Sequence, residues 1–244
     1  MRVLHPEDLL QLAADRGEPR LSLFLPTDRN EPDRSVNQAR WGNLVHDAKA
    51  AMRADGVPAA RVRQILNGPL DLLADAWPWD RPDRGMAMFA GPGSARCYWL
   101  PRPVPTLATF GDRFALCPLF PMLSTKTEER ARATYRRLSR DGRTVTEPSE
   151  LFAAADRGRV ETLFVSTTVT PRPHKHDDHL IVPLSQYPDP ARQADIAVVA
   201  VLRHGGRVLS LPPRRMPEQV PMAATLRHST LLPAPKTTAE GALS

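Results

Sequence analysis

Residues Ser149 to Ser166, SELFAAADRGRVETLFVS, constrain the fold of this chain more than any other stretch. Leu151, Phe152 and Ala155 recur at helical spacing behind Pro148 and Ser149, which open helices well, and Gly158 supplies the small residue on which a helix stops. Immediately afterwards Val160, Leu163 and Val165 alternate with polar Glu161 and Thr162, and Phe164 adds bulk, so Val160 to Val165 reads as a strand with one well-buried face. A helix turned into a buried strand by a single Gly-Arg step is an α/β unit, and the remainder of the C-terminal half is expected to form layers around it.

The same reading extends in both directions. Pro6 starts a first helix with Leu9, Leu10 and Ala13 on one stripe, and Leu21 to Leu25 reads as a strand stopped by Pro26. Trp41, Leu44, Val45, Ala48 and Met52 give an amphipathic helix ended by Gly56. Pro58 opens another through Val62, Ile65 and Leu66, which Pro69 is expected to kink or divide. Trp77 and Trp79 could stack bases if exposed, but two tryptophans beside short strands are more often core plugs. Gly85 to Ala90 and Ala95 to Leu100 flank Gly91-Pro92-Gly93 as a hairpin, Thr106 to Phe110 reads as an edge strand, and Phe114 to Leu123 as a buried run. Beyond the organising unit, Ala191 to His204 reads as a helix with Ile196, Val199, Ala200 and Val201 on its apolar face, ended by Gly205-Gly206; Val208 to Leu211 and Met222 to Leu226 read as strands.

These elements imply an α/β fold class in two units: an α+β domain over 1–123, a basic connecting helix over 124–146, an α/β domain over 147–228 and a disordered tail over 229–244. The 41% hydrophobic content suffices for cores of that size. The first 17 residues interrupt their apolar positions with Glu7, Asp8 and Asp15, which argues against a signal peptide, and no apolar run is long enough for a membrane span, so a cytoplasmic protein with no membrane partner is expected. Cys97 and Cys117 lack metal or redox spacing and are expected to be buried free thiols.

Charge is unevenly placed. Residues 1–123 hold 15 basic and 14 acidic residues, and 124–244 hold 18 and 13, so most of the net +6 lies in the second half. Its densest source is STKTEERARATYRRLSRDG (Ser124 to Gly142). There Thr125 and Glu128 fit a capping box, and Ala131, Tyr135 and Leu138 leave only a narrow apolar stripe. Arg130, Arg132, Arg136, Arg137 and Arg140, with Arg143 just beyond, are candidates for phosphate contact, and Arg203, Arg207, Arg214 and Arg215 form a second group with no acidic residue among them. A solvated helix face accounts for the first group equally well. The loop motif HKHDDH (His174 to His179) invites a metal but fits no standard zinc spacing, and no Ser or Cys occupies a nucleophile elbow; no metal, cofactor or catalytic residue is expected.

The order AADRGRVETLFV (Ala154 to Val165), LRHGGRVLSLP (Leu202 to Pro212), Met216-Pro217 and AATLRH (Ala223 to His228) resembles the C-terminal domain of the bacterial proteins related to archaeo-eukaryotic class I release factors and Pelota. LSLFLPT (Leu21 to Thr27), WDRPDRGMAMF (Trp79 to Phe89) and FALCPLFPML (Phe114 to Leu123) resemble the N-terminal domain of the same group. In that family a middle domain lies between the two, and in release factors it carries a Gly-Gly-Gln loop that positions water at the peptidyl-tRNA ester. Here only Ser124 to Glu147 separates the matching stretches, and Gly205-Gly206 is followed by Arg207 at a helix end. The resemblance therefore implies a non-catalytic, translation-associated protein that binds the ribosome, rRNA, tRNA or a translation factor, in release, rescue or hibernation. The alternative is a protein–protein adaptor without nucleic acid.

Overall fold

The computed structural model describes residues 2–27, 34–74, 84–123, 128–173 and 177–228. Trp77, Trp79, Thr125, the first half of the HKHDDH motif (174–176) and the tail beyond 228 lie outside them.

The fold is α/β, built on two sheets. The first has six strands: β1 (Arg2–Val3), β2 (Arg16–Pro26), β3 (Gly85–Gly91), β4 (Ser94–Leu100), β5 (Leu107–Arg113) and β8 (Leu180–Pro183), in the order β1-β4-β3-β2-β5-β8. Its β3–β4 hairpin closes through Pro92 and Gly93, whose φ of 75° is the left-handed geometry that a tight turn requires of glycine. The second sheet contains β6 (Thr144–Val145), β7 (Val160–Ser166), β9 (Arg207–Leu211) and β10 (Met222–Leu226), in the order β6-β10-β7-β9. β7 runs parallel to β9 and antiparallel to β10.

Period-two alternation sends the side chains of each strand to opposite layers. In the first sheet Leu21, Leu23, Leu25, Met86, Met88 and Phe110 face α2 (Arg34–Ala54) and α3 (Ala59–Ala74), closing a core around Trp41 and Met52. The opposite face, with Phe24, Phe89 and Tyr98, packs on a central layer containing α1 (Pro6–Ala14), α5 (Pro148–Asp156) and α6 (Asp189–Arg203). Leu163, Val165 and Ala224 of the second sheet join this same core from the other side. One continuous apolar cluster thus spans both sheets.

Three expectations are corrected. Pro69 does not divide α3, which runs unbroken through it, and the Trp41 indole N–H donates to the Pro69 carbonyl at 2.9 Å. β5 is not an edge, because β8 pairs with it in parallel from Leu107↔Leu180 to Phe110↔Pro183. That strand belongs to the stretch assigned to the second unit, so hydrogen bonding crosses the expected boundary. Ile196 does not face the core. It is 55% exposed, while Ala194, Ala197, Val198 and Val201 fill the buried side of α6. Of the two placements that its narrow apolar stripe allows, on a surface or bridging two units, the connecting helix takes the first: α4 (Glu128–Arg140) covers the outer face of the second sheet.

Gly205 caps α6 at φ 68°, and a Cβ on Gly206 would stand 2.6 Å from Val201 Cγ1 and 2.9 Å from the Val160 carbonyl. The left-handed turn accounts for Gly205 and close packing for Gly206. No described helix is long and apolar enough to cross a membrane.

Candidate nucleic-acid interface

The sequence of α4 suits its position. Glu128 and Glu129 lie in the first turn and Arg137 and Arg140 in the last, each complementing the helix dipole. Tyr135 and Leu138 are buried. Tyr135 meets Phe164 edge-on at 5.6 Å between ring centroids, in a small core with Leu209, Leu211, Met216 and Ala223. The inner stripe is consumed by the sheet, which leaves the flanks and outer face to solvent.

Along one flank Arg132, Arg136 and Arg140 stand at i, i+4 and i+8, rising about 6 Å per step. They line a groove of about 500 Å³ whose floor and far wall are Tyr135, Ser139, Met216, Pro217 and Glu218. None of the three arginines has an ion-pair partner among the described residues. On the other flank Arg130 and Thr134 face Glu161, Thr162, Arg207 and Thr225 across a hollow of about 360 Å³. Arg137 is exposed on the outer face.

The wall opposite the arginines is held in an uncommon conformation. Glu218 and Gln219 have φ of 53° and 56°, two successive non-glycine residues in the left-handed region, which costs of order 1–3 kcal/mol each. The Tyr135 hydroxyl donates to Glu218 Oε1 at 2.7 Å, tying this turn to the helix. Burial, reinforced by the bond to Glu218, pushes the Tyr135 phenol well above its ordinary value, so it stays a donor. Sequence reasoning missed Glu218. The signal was a short MPEQVP segment, with Pro217 and Pro221 bracketing a turn that follows directly on the arginine pair Arg214-Arg215.

The other expected site residues do not join this groove. Arg143 is half-buried, and its guanidinium donates to the carbonyls of Leu226 and Arg227, at 3.0 Å for the first. It closes the end of β10 rather than facing a ligand. Arg143→Ala is therefore expected to lower stability by about 1.5–3 kcal/mol, read as a shift in urea midpoint at unchanged m-value. The second arginine group is dispersed. Arg207 lies 4.0 Å from Glu161, Arg215 lies 3.4 Å from Glu128, and Arg203 lines a separate hollow of about 320 Å³ with Arg16, Arg113 and Asp195. Arg214 is exposed.

That last hollow borders the most perturbed titratable groups. Asp195 is buried on α6, and its Oδ2 accepts the Leu116 N–H at 3.1 Å while Oδ1 has no hydrogen-bond partner among the described residues. Burial raises its carboxyl to about 7, against the lowering influence of the Leu116 N–H and of Arg113. Cys117 Sγ lies 2.9 Å from the Tyr187 hydroxyl, and burial, then the Asp195 charge, pushes its thiol up. A thiol so placed is a packing group, since nucleophilicity belongs to the thiolate. Cys97 is likewise free, and burial pushes it up to about 12. Within the HKHDDH segment His179 Nε2 lies 2.9 Å from Asp47 Oδ2, and no cluster of three potential metal ligands occurs among the described residues.

No protein-family model matches the chain, and no curated protein does. Among solved structures it is similar to the crystal structure of the archaeal translation termination factor aRF1, at a TM-score of 0.33 and 10% identity over 93% of this chain and 99% of that one. A second, described as an archaeal protein, gives 0.29 and 10% over the same shares. Neither likeness, at a TM-score under 0.5, decides function.

Proposed function

We propose that this chain is a non-catalytic, translation-associated protein that grips RNA phosphates with the outer flank of α4. The observation that carries the reading is the row Arg132, Arg136 and Arg140, unpaired among the described residues and lining one open groove. A rise of about 6 Å between successive arginines suits successive phosphates of one strand, and guanidinium groups bind phosphate through paired N–H donors. The translation setting is supported by the release-factor and Pelota motifs in the sequence. The non-catalytic reading is supported by the place of Gly205-Gly206, which serves the end of α6 instead of presenting a loop.

Phosphate contact makes affinity depend on salt. With three contacts to a single strand, raising salt from about 50 to about 300 mM should weaken binding about 40-fold. Co-sedimentation with purified ribosomes and fluorescence anisotropy with short RNA across that range provide the measurement. Binding that ignores salt rejects the phosphate grip.

A protein-docking adaptor is the second reading, and the exposed Ile196 beside the Asp195 hollow is the observation in its favour. It predicts capture of a protein that survives charge reversal on α4.

A further inference from the structure

We propose that Glu218 makes the α4 groove selective for guanine, so that the groove takes a single-stranded RNA segment by its phosphates and reads one base at its wall. This rests on the phosphate-binding reading of the same groove and adds the base that is chosen.

A carboxylate is unwelcome in a groove built for phosphate, yet Glu218 lines it alongside three arginines. It does not serve as their counter-ion, because among the described residues it forms no ion pair; its observed bond is to the Tyr135 hydroxyl at 2.7 Å. The backbone that presents it is left-handed at Glu218 and again at Gln219. The carboxylate is therefore a positioned acceptor. Oε1 receives the tyrosine proton and Oε2 has no donor among the described residues.

An ionised carboxylate can only accept, so it selects for adjacent donors. Among the four bases guanine alone places two neighbouring N–H donors, N1 and N2, on its Watson–Crick edge. Adenine and cytosine put an acceptor nitrogen beside their amine, and uracil flanks its single N–H with two carbonyls; each of these sets a lone pair against the carboxylate. Single-stranded RNA offers that edge unpaired, and arginine guanidinium planes such as that of Arg136 provide a stacking surface for the extruded base. A volume of about 500 Å³ is of the size that ligand sites have.

Free guanine nucleotides share this chemistry, so both sources are tested. The probes are decauridylates carrying a single central G, A, C or U, together with 5′-GMP, each titrated against the full chain at about 50 mM salt. The G-containing oligomer is expected to bind about tenfold tighter than the other three. GMP, with one phosphate, is expected to bind far more weakly than the oligomer; if it binds as tightly, the groove is a mononucleotide site and the strand claim is overturned. Glu218→Gln should erase the preference while strengthening binding of all four oligomers, because a negative charge leaves the groove. Tyr135→Phe, which keeps the ring against Phe164, should reduce the preference without altering the salt dependence. Equal affinity for all four oligomers, or a guanine preference that survives in Glu218→Gln, overturns the selective role of Glu218 and leaves the phosphate grip standing. Absence of binding by any oligomer overturns both.

Discussion

Arg132, Arg136 and Arg140 replaced together by glutamate should lower RNA affinity about 4 × 10³-fold at about 0.15 M salt. Each lost phosphate contact forfeits about 0.8 kcal/mol of counterion release, and a reversed charge adds repulsion of similar size, so three positions give about 5 kcal/mol. The fold should tolerate the change. Arg136 and Arg140 are exposed, Arg132 is half-buried, and substitutions of this kind usually move stability by about 0.5 kcal/mol. Only Arg140, in the last turn of α4, gives up a favourable dipole contact. Anisotropy with a short RNA, alongside thermal unfolding, separates loss of affinity from loss of structure. Full binding by a folded triple variant would show that the groove is not where RNA sits. A companion reversal of Arg203, which faces a different hollow, should leave affinity within about twofold, since its charge lies outside the gripping row.

Asp195→Asn should flatten the stability profile between about pH 4 and pH 7. In the folded chain the Asp195 carboxyl titrates near 7, against an ordinary value of 3.8, because burial disfavours the charge. Below about pH 4 both folded and unfolded chains hold the proton, and the contribution of this group is fully present. As pH rises the unfolded chain releases its proton first, so the folded state loses about 1.4 kcal/mol per unit until its own carboxyl ionises. The accumulated loss is about 4 kcal/mol at pH 8. Asparagine can still accept from the Leu116 N–H and carries no charge to desolvate. Its advantage over aspartate should therefore grow from nothing near pH 4 to several kcal/mol at pH 8. Urea unfolding of both proteins at each pH measures the difference directly, and parallel profiles would mean that Asp195 keeps an ordinary carboxyl.

What could be read from sequence was what neighbouring residues decide. α5 and β7 follow from spacing and a glycine, and β10 matches Met222–Leu226 without adjustment, because apolar alternation and helix caps are local signals. The α4 stripe of Ala131, Tyr135 and Leu138 was equally legible, so the exposed arginines could be named in advance. What could not be read depends on distant partners. Leu180–Pro183 is four residues ended by proline, and it becomes a strand only because β5 offers a parallel edge from the other half of the chain. Ile196 and Val198 look alike in an apolar helix, and the side on which the core lies settles which is buried. Arg143 and Arg136 are the same residue type a few positions apart. One meets two carbonyls at a strand end and the other meets solvent, a difference set by the path of β10.

The pairing of β8 with β5 also bears on how such a molecule can be taken apart or recombined. A gene fragment encoding only the first 123 residues would present Leu107, Ala108 and Phe110 on a raw sheet border, ready to recruit whatever extended peptide it meets. The reciprocal fragment would carry α6 stripped of the surface it was shaped against. Each half would thus expose surface that the other covers in the intact chain.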